Sequence, residues 1–478
     1  MLTLAFALLL CGAVAAASSI SGALKLNADD VAFTTSPSFV SFNFDWWPNG
    51  TPAWTNSSVL IVNLTNPLLV YLTSQLSPGH LRIGGTDEDR IVFDIGDSHQ
   101  SCVDPFCLRM SRWKELINFT QVTGTKLAFG INAMYGRKNR SSHFDPSNAE
   151  ALMKYTAQEK LPVAAFEFGN ELNHGIDPQV YGEDFATMRK MINEIWPDES
   201  NRPQLVGPDI GTDSSYFEDF LPVAGPYLNA TTYHIYAVGR GTDADLPAHM
   251  ASLKYLQRQT DEALSMLAIV KKTAPNSELW LGEGAAASHS GLAGATNTFL
   301  SGFWYMNALG TTATHGHTAL CRQALVGGNY ELLNKTTFMP NPDYYTALLY
   351  RRLMGQKMLE VTVSSNINDS FAAYAACANQ GSPGEIVVAF LNLNTTESIE
   401  ISLTGIASGP REEFHLTTGE EGNYRSQEML LNGNLLQIKD GKLPNLSGMN
   451  VTGDTPLVAQ PMSYGFALYK SAAANACM

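Results

Sequence analysis

The chain has 478 residues, 45% hydrophobic and 16% charged, a composition that excludes a disordered or collagen-like protein. Its formal net charge of -15 repels polyanions, which argues against nucleic acid as a partner and against a densely sulfated polysaccharide.

The chain opens with an apolar run, Leu2 to Leu10, followed by small residues through Ala17. That is the layout of a signal peptide over residues 1–17, cleaved after Ala15 or Ala17. The run is shorter than the ~20 residues that span a bilayer, and no later stretch reads as transmembrane. About eleven Asn-x-Ser/Thr sequons, from Asn49 to Asn450, point the same way, since such acceptors belong to surface loops of secreted proteins. We expect a secreted glycoprotein, extracellular or in a cell wall, or held in a vacuole- or lysosome-like compartment. A monomer is expected.

Residues 18–40 form an N-terminal segment in which Ile20–Thr35 is expected to add an edge strand to a later sheet. Eight short apolar strands follow in order: SFVSFNFDWW, HLRIGG, KLAFGIN, AAFEFGNE, QLVGPD, TTYHIY, ELWLGE and ATHGHTALCRQ, the last placed near Thr314–Leu320. Between them lie SRWKELINFTQVTG, NAEALMKYTAQE, YGEDFATMRKMINEIWP and the stretch Leu253–Lys272, each with apolar residues three and four apart, the spacing of a helix face. Gly124 and Pro197 stand where helices should stop. Strands alternating with helices predict a parallel sheet, and eight units predict a (β/α)8 TIM barrel over residues 41–354. An open doubly wound sheet would bring a Gly-rich phosphate turn after its first strand, and none is present. From 355 to 478 the pattern becomes short alternating runs (FAAYAAC, EIVVAFLNLN, SIEISLTG, MLLNGNLLQI, SYGFALYK), which predict an antiparallel β-sandwich.

Of six cysteines, Cys11 lies in the signal segment, so one of the remaining five must stay free in an oxidising compartment. Cys102–Cys107 can close a tight loop and Cys377–Cys477 can staple the tail. Cys321, flanked by apolar residues, is expected to be a buried thiol. No cysteine spacing resembles a metal site.

A TIM barrel carries its chemistry at the C-terminal ends of its strands. Asp45 stands after the first strand, Thr86 after the second and Asn170-Glu171 after the fourth. His234 and Tyr236 close the sixth, and Glu283 the seventh. Glycoside hydrolysis needs one carboxylic acid to protonate the leaving oxygen and a second carboxylate to meet the anomeric carbon; in retaining enzymes the two lie ~5–5.5 Å apart. Three βα units separate Glu171 from Glu283, which puts both on one rim. Glu171 is the expected acid/base, with a pKa raised by burial or by the Glu283 charge. Glu283 is the expected nucleophile, ionised and surrounded by donors. Asn170 is expected to bond the sugar hydroxyl beside the anomeric carbon. His234 is expected to donate to Glu283 or to sugar. Trp46, Trp47, Tyr236 and Tyr330 are candidates for sugar stacking, with core packing as the alternative.

With these residues placed, the chain resembles the heparanase-like β-glucuronidases, glycoside hydrolase family 79 of clan A. The matching stretches are LSPGHLRIGGTDEDRIVFD, WKELINFTQVTGTKLAFGINA, FEFGNEL, TYHIY, LWLGE, CRQALVGGNYELLN and PNPDYYTALL. The layout from CRQALVGGNYELLN to PNPDYY is similar to the plant-type branch. The resemblance implies a barrel plus C-terminal sandwich, no cofactor and no metal, Glu171 as acid/base and Glu283 as nucleophile. It further implies that Asp45, Thr86, Asn170 and Gln323 contact the sugar, that His234 and Tyr236 line the pocket, and that Tyr330 with Gly328 grips the glucuronate carboxylate. One departure follows the nucleophile: Ser288 replaces the family's Tyr, and His289 and Ser290 come next. Backbone N–H groups there, and His289 at acidic pH, are expected to meet the carboxylate. The basic clusters and excised linker of the animal enzyme are missing, so the expected substrate is glucuronic acid in less sulfated glycans, proteoglycans or glycosides. An endo-acting heparanase-like hydrolase and a catalytically silent carbohydrate-binding homologue are the competing readings.

Overall fold

The computed structural model describes residues 19–47, 51–96, 102–407, 409–452 and 455–478. The signal-peptide expectation over residues 1–17, with Cys11, and the Asn49 sequon lie outside them. Among the described residues, no helix is long and apolar enough to cross a membrane.

Eight parallel strands close a barrel in chain order: Val40–Asp45, His80–Gly84, Lys126–Ile131, Ala165–Phe168, Gln204–Gly211, Ala230–Ile235, Glu278–Gly284 and Ala319–Arg322. The eighth pairs with the first, Leu320 opposite Val40, so no edge is left open. The expected eighth strand shifts: Thr314 ends the helix Ser301–Thr314, and the strand begins only at Ala319. The reason is burial. That helix is apolar on all sides and almost wholly buried, because it lies between the barrel and the C-terminal sheets rather than facing solvent.

The outer helices follow their apolar stripes. Met110–Thr123 buries Trp113, Leu116, Ile117 and Thr120, and stops at Gly124, whose φ of 70° is the left-handed cap that a glycine adopts at little cost. Pro178–Ile195 starts on the Asp177 side chain, which accepts from Gln179 and Val180 N–H.

The C-terminal region holds a nine-stranded sheet and a four-stranded sheet. Ile386–Asn392 is buried throughout because it serves two interfaces. Ile386, Val388 and Phe390 face the four-stranded sheet, while Val387, Ala389 and Leu391 join the barrel-side core. Period-two alternation thus seats the sandwich on the barrel. Two expectations change here. Ser19–Leu26 is no edge strand: it lies between Val361–Val363 and Ser398–Thr404. It also runs parallel to Ser398–Thr404, so the sandwich is not purely antiparallel. Arg411–Thr418, rich in charge, is a central strand that the hydropathy pattern missed. Cys102 is bonded to Cys107 and Cys377 to Cys477, and Cys321 is free and buried.

Candidate active site

The fourth strand ends at Phe168, and the chain turns sharply so that Glu171 sits at φ 55°, a left-handed conformation uncommon for a side-chain-bearing residue. Asp89 holds this turn: its carboxylate accepts from the backbone N–H of Asn170 at 2.9 Å and of Ala133 at 2.8 Å. Glu283 ends the apolar seventh strand and is buried. One carboxylate oxygen of Glu171, one of Glu283 and a ring nitrogen of His234 all lie within 4.8 Å of one another. That is short of the ~6.5–9.5 Å that leaves room for a water between two carboxyl groups.

Beneath them lies Arg82, on the second strand and 2% exposed. Its Nη1 donates to Glu283 Oε2 at 2.8 Å, its Nη2 to Asn170 Oδ1 at 2.8 Å, and its other contacts are to Asp209 and Glu167. A guanidinium taken out of water must be paired, and here its planar fork locks four strand ends together. Tyr236 donates its hydroxyl hydrogen to Glu283 Oε1, so Glu283 is surrounded by donors as expected. The sequence marks HLRIGG as a strand but not this role of Arg82. The signal was present, since a charged residue inside an apolar strand is rarely buried without a partner.

His234 corrects one expectation. Its Nδ1 is 2.8 Å from Glu171 Oε1 and 3.8 Å from Glu283 Oε1, so its hydrogen bond goes to the acid/base candidate. Its Nε2 lies 2.7 Å from Asp209 Oδ2, at ion-pair distance. Burial disfavours the imidazolium, but Asp209 and Glu283 outweigh it and hold His234 well above its usual pKa. Burial likewise opposes the Asp209 charge, but Arg82 and His234 hold that carboxyl down at about 2. The expected rise in the Glu171 pKa is therefore reversed in the free site: burial pushes it up, but the His234 hydrogen bond and charge prevail and lower it. Glu171, His234 and Glu283 are close enough to share a cation.

The sugar-contact candidates converge only in part. Asp45 accepts from Gln323 Nε2 at 2.9 Å and from the Trp47 N–H at 3.1 Å, and burial with the Glu283 charge pushes its carboxyl up to about 7. Tyr330 packs edge-on against Trp54 and beside Tyr236. Gly328, at φ 73°, admits that ring, since a Cβ there would lie 2.4 Å from Tyr330 Cε2. Ser290 accepts from Trp54 Nε1 at 2.8 Å, and His289, Ser290 and Gly291 form a left-handed run with φ of 56°, 63° and 68°. The His289 side chain is exposed and its Nδ1 meets Ser288 Oγ at 2.9 Å. Thr86 is exposed on the rim after the second strand, with no side-chain bond among the described residues. Trp46 is core: it is 1% exposed and packs on Phe129, whereas Trp47 is half-buried and stacks on Trp54. The sequence gives no signal for Trp54, because the stretch 51–64 carries no strand or helix period.

A closed (β/α)8 barrel with two carboxylates facing each other at the C-terminal rim defines a glycoside hydrolase. The family model for glycosyl hydrolase family 79, N-terminal domain, matches residues 21–310, and the chain belongs to this heparanase-like family, which includes plant members. It is 33% identical to heparanase-like protein 3 of Arabidopsis thaliana, over 93% of this chain and 92% of that protein. It is 30% identical to the baicalin-beta-D-glucuronidase of Scutellaria baicalensis, over 96% of this chain and 93% of that protein. In fold it is similar to the GH51 arabinofuranosidase from Xanthomonas axonopodis pv. citri, with a TM-score of 0.68, 15% identity, and coverage of 94% of this chain and 99% of that one.

Proposed function

We propose that the chain is a retaining β-glucuronidase that removes terminal glucuronic acid from glycans, proteoglycans or glycosides by double displacement. The observation that carries this reading is the close approach of the Glu171 and Glu283 carboxylates, within 4.8 Å by one oxygen of each. Glu283, oriented by Arg82 and Tyr236, attacks the anomeric carbon while Glu171 protonates the departing oxygen. Glu171 then takes a proton from water, which releases the sugar with its configuration kept. Asn170, fixed by Arg82, bonds the hydroxyl next to the reacting carbon, and Asp45 with Gln323 grips the ring from the first and eighth strands. The left-handed run at His289–Gly291 and the Tyr330 hydroxyl receive the carboxylate.

Glucuronide specificity is supported by a relative named as a β-D-glucuronidase that aligns over nearly the whole chain. Two disulfides fit an oxidising compartment, which supports the secretory route. The test is hydrolysis of aryl β-glucuronide, β-glucoside and β-galactoside, with the first anomer of the sugar product read by NMR. The expected result is glucuronide preference and a β-configured first product. Glucoside preference overturns the substrate, and an α product overturns the mechanism.

A further inference from the structure

His234 is 1% exposed in its side chain and bridges two carboxylates, Glu171 at 2.8 Å through Nδ1 and Asp209 at 2.7 Å through Nε2. Glu171, by contrast, is 45% exposed in its side chain, open to whatever enters the site. Asp209 faces Arg82, His234 and Glu167, and it reaches no open part of the site, being 0% exposed. An aspartate buried so deeply, on a backbone at φ 54°, serves the imidazole rather than the sugar.

We propose that Asp209 is a positioning residue that keeps His234 doubly protonated, and that His234 stores the proton with which Glu171 performs acid catalysis. This rests on the retaining reading above. In the free site the pair is imidazolium and carboxylate. A sugar that covers Glu171 removes its water and raises the cost of separated charge. The Nδ1 proton then crosses 2.8 Å to Glu171 Oε1, which leaves neutral imidazole and carboxylic acid, with no change in the charge of the pair. Glu171 gives that proton to the glycosidic oxygen as the C–O bond breaks and Glu283 forms the ester bond. Glu283 is now uncharged, so one of the charges that favoured the imidazolium is gone, and His234 stays neutral. In the second half Glu171 takes a proton from the attacking water, the ester bond breaks, and Glu283 regains its charge. The proton returns from Glu171 to Nδ1. Glu171, His234 and Glu283 together carry one negative charge at each stage, and every proton is accounted for.

The groups that face His234 come from four strands. Asp209 lies on the fifth, Glu171 and Glu167 at the fourth, Glu283 on the seventh and Arg82 on the second; Tyr236 follows on its own strand. Of these, Asp209, Glu283 and Glu171 favour the imidazolium and oppose the effect of burial.

The test uses the full-length mature protein labelled with 15N-histidine. The His234 signals, assigned by their loss in His234→Gln, should show both ring nitrogens protonated well above pH 6.5 in the wild-type protein. A neutral ring at pH 7 overturns the proposal, and this reading needs neither activity nor a stable Asp209 variant. In Asp209→Asn the alkaline limb of kcat/KM on whichever glycoside the wild-type enzyme cleaves should move down by about one to three pH units, the usual effect of a facing charge. An even loss at all pH values, with the limb unmoved, reduces Asp209 to a structural part and overturns the proposal. Failure of the glucuronidase reading appears separately, as a wild-type enzyme that leaves glucuronides intact or inverts them.

Discussion

The backbone N–H of Glu171 donates to the carbonyl oxygen of Asp209 at 2.9 Å, and both residues occupy left-handed backbone, at φ 55° and 54°. Such conformations cost about 1–3 kcal/mol each and persist where the surrounding structure over-determines them. Here the fourth and fifth strand ends are tied so that their carboxylates grip one imidazole from two sides. The acid/base candidate is thus positioned by main chain, by Asp89 and by His234 together.

Replacement of Glu171 by Gln removes the proton donor and leaves Glu283 untouched. For an alkyl glucuronide, whose leaving group needs protonation, kcat/KM should fall by roughly 10²–10⁴. For a dinitrophenyl glucuronide, which leaves unaided, the loss in that parameter should be far smaller. Equal losses on the two substrates, measured by steady-state kinetics, contradict the acid role.

Arg82→Met should destabilise the protein as well as silence it. The change leaves Glu167, Asp209 and Glu283 buried without their shared cation. Breaking a buried pair in this way costs about 3–5 kcal/mol. Arg82→Lys should recover little, because an ammonium cannot reach four partners with fork geometry. Urea denaturation of both variants checks this; a change below about 1 kcal/mol for the Met variant contradicts it.

Stability should fall as the pH rises from about 5 to 8. Burial pushes Asp45, Asp89 and Glu331 up to about 7, above the ~3.9–4.3 of an unfolded chain. The folded form therefore binds more protons than the unfolded form across that window, and stability is lost as these groups ionise. Asp209, held at about 2, acts in the opposite sense, but its contribution is complete above about pH 5; His80 and His317, which burial holds down at about 3 and about 4, also oppose the loss until an unfolded histidine gives up its proton at pH ~6.5, and they offset only part of it. Melting temperatures should be higher at pH 5 than at pH 8, and a rise toward pH 8 contradicts the assignment.

Cys377–Cys477 closes a loop with a sequence separation of 100, and the tail it anchors covers Ala28 and Lys357 through backbone contacts at Ala476. The double change to Ser should lower stability by about 2–5 kcal/mol and leave kcat near its original value at 25 °C. Unfolding and activity assays on the same preparation separate the two effects.

Most of the scaffold was legible in the sequence because barrel strands are buried on both sides and read as apolar runs closed by a polar residue. The same rule marked Asp45, Glu171 and Glu283, and applied to QLVGPD it would have marked Asp209 as well. The partner of His234 was not legible, because ring orientation depends on a contact across strands. The pKa of Glu171 was misjudged for the same reason: burial and Glu283 were foreseen, the imidazolium was not. Arg411–Thr418 escaped because it buries charged residues in pairs, Arg411 with Glu413, which breaks the apolar alternation.

Double displacement requires that Glu283 form a covalent bond to the sugar. Incubation with a 2-deoxy-2-fluoro-β-glucuronyl fluoride slows the second step, and mass spectrometry of the digested protein then locates the adduct. One fluoro-glucuronyl group on the peptide containing Glu283, absent from Glu283→Gln, is the predicted result. Turnover of this reagent with no adduct, or an adduct on another carboxylate, would contradict the account.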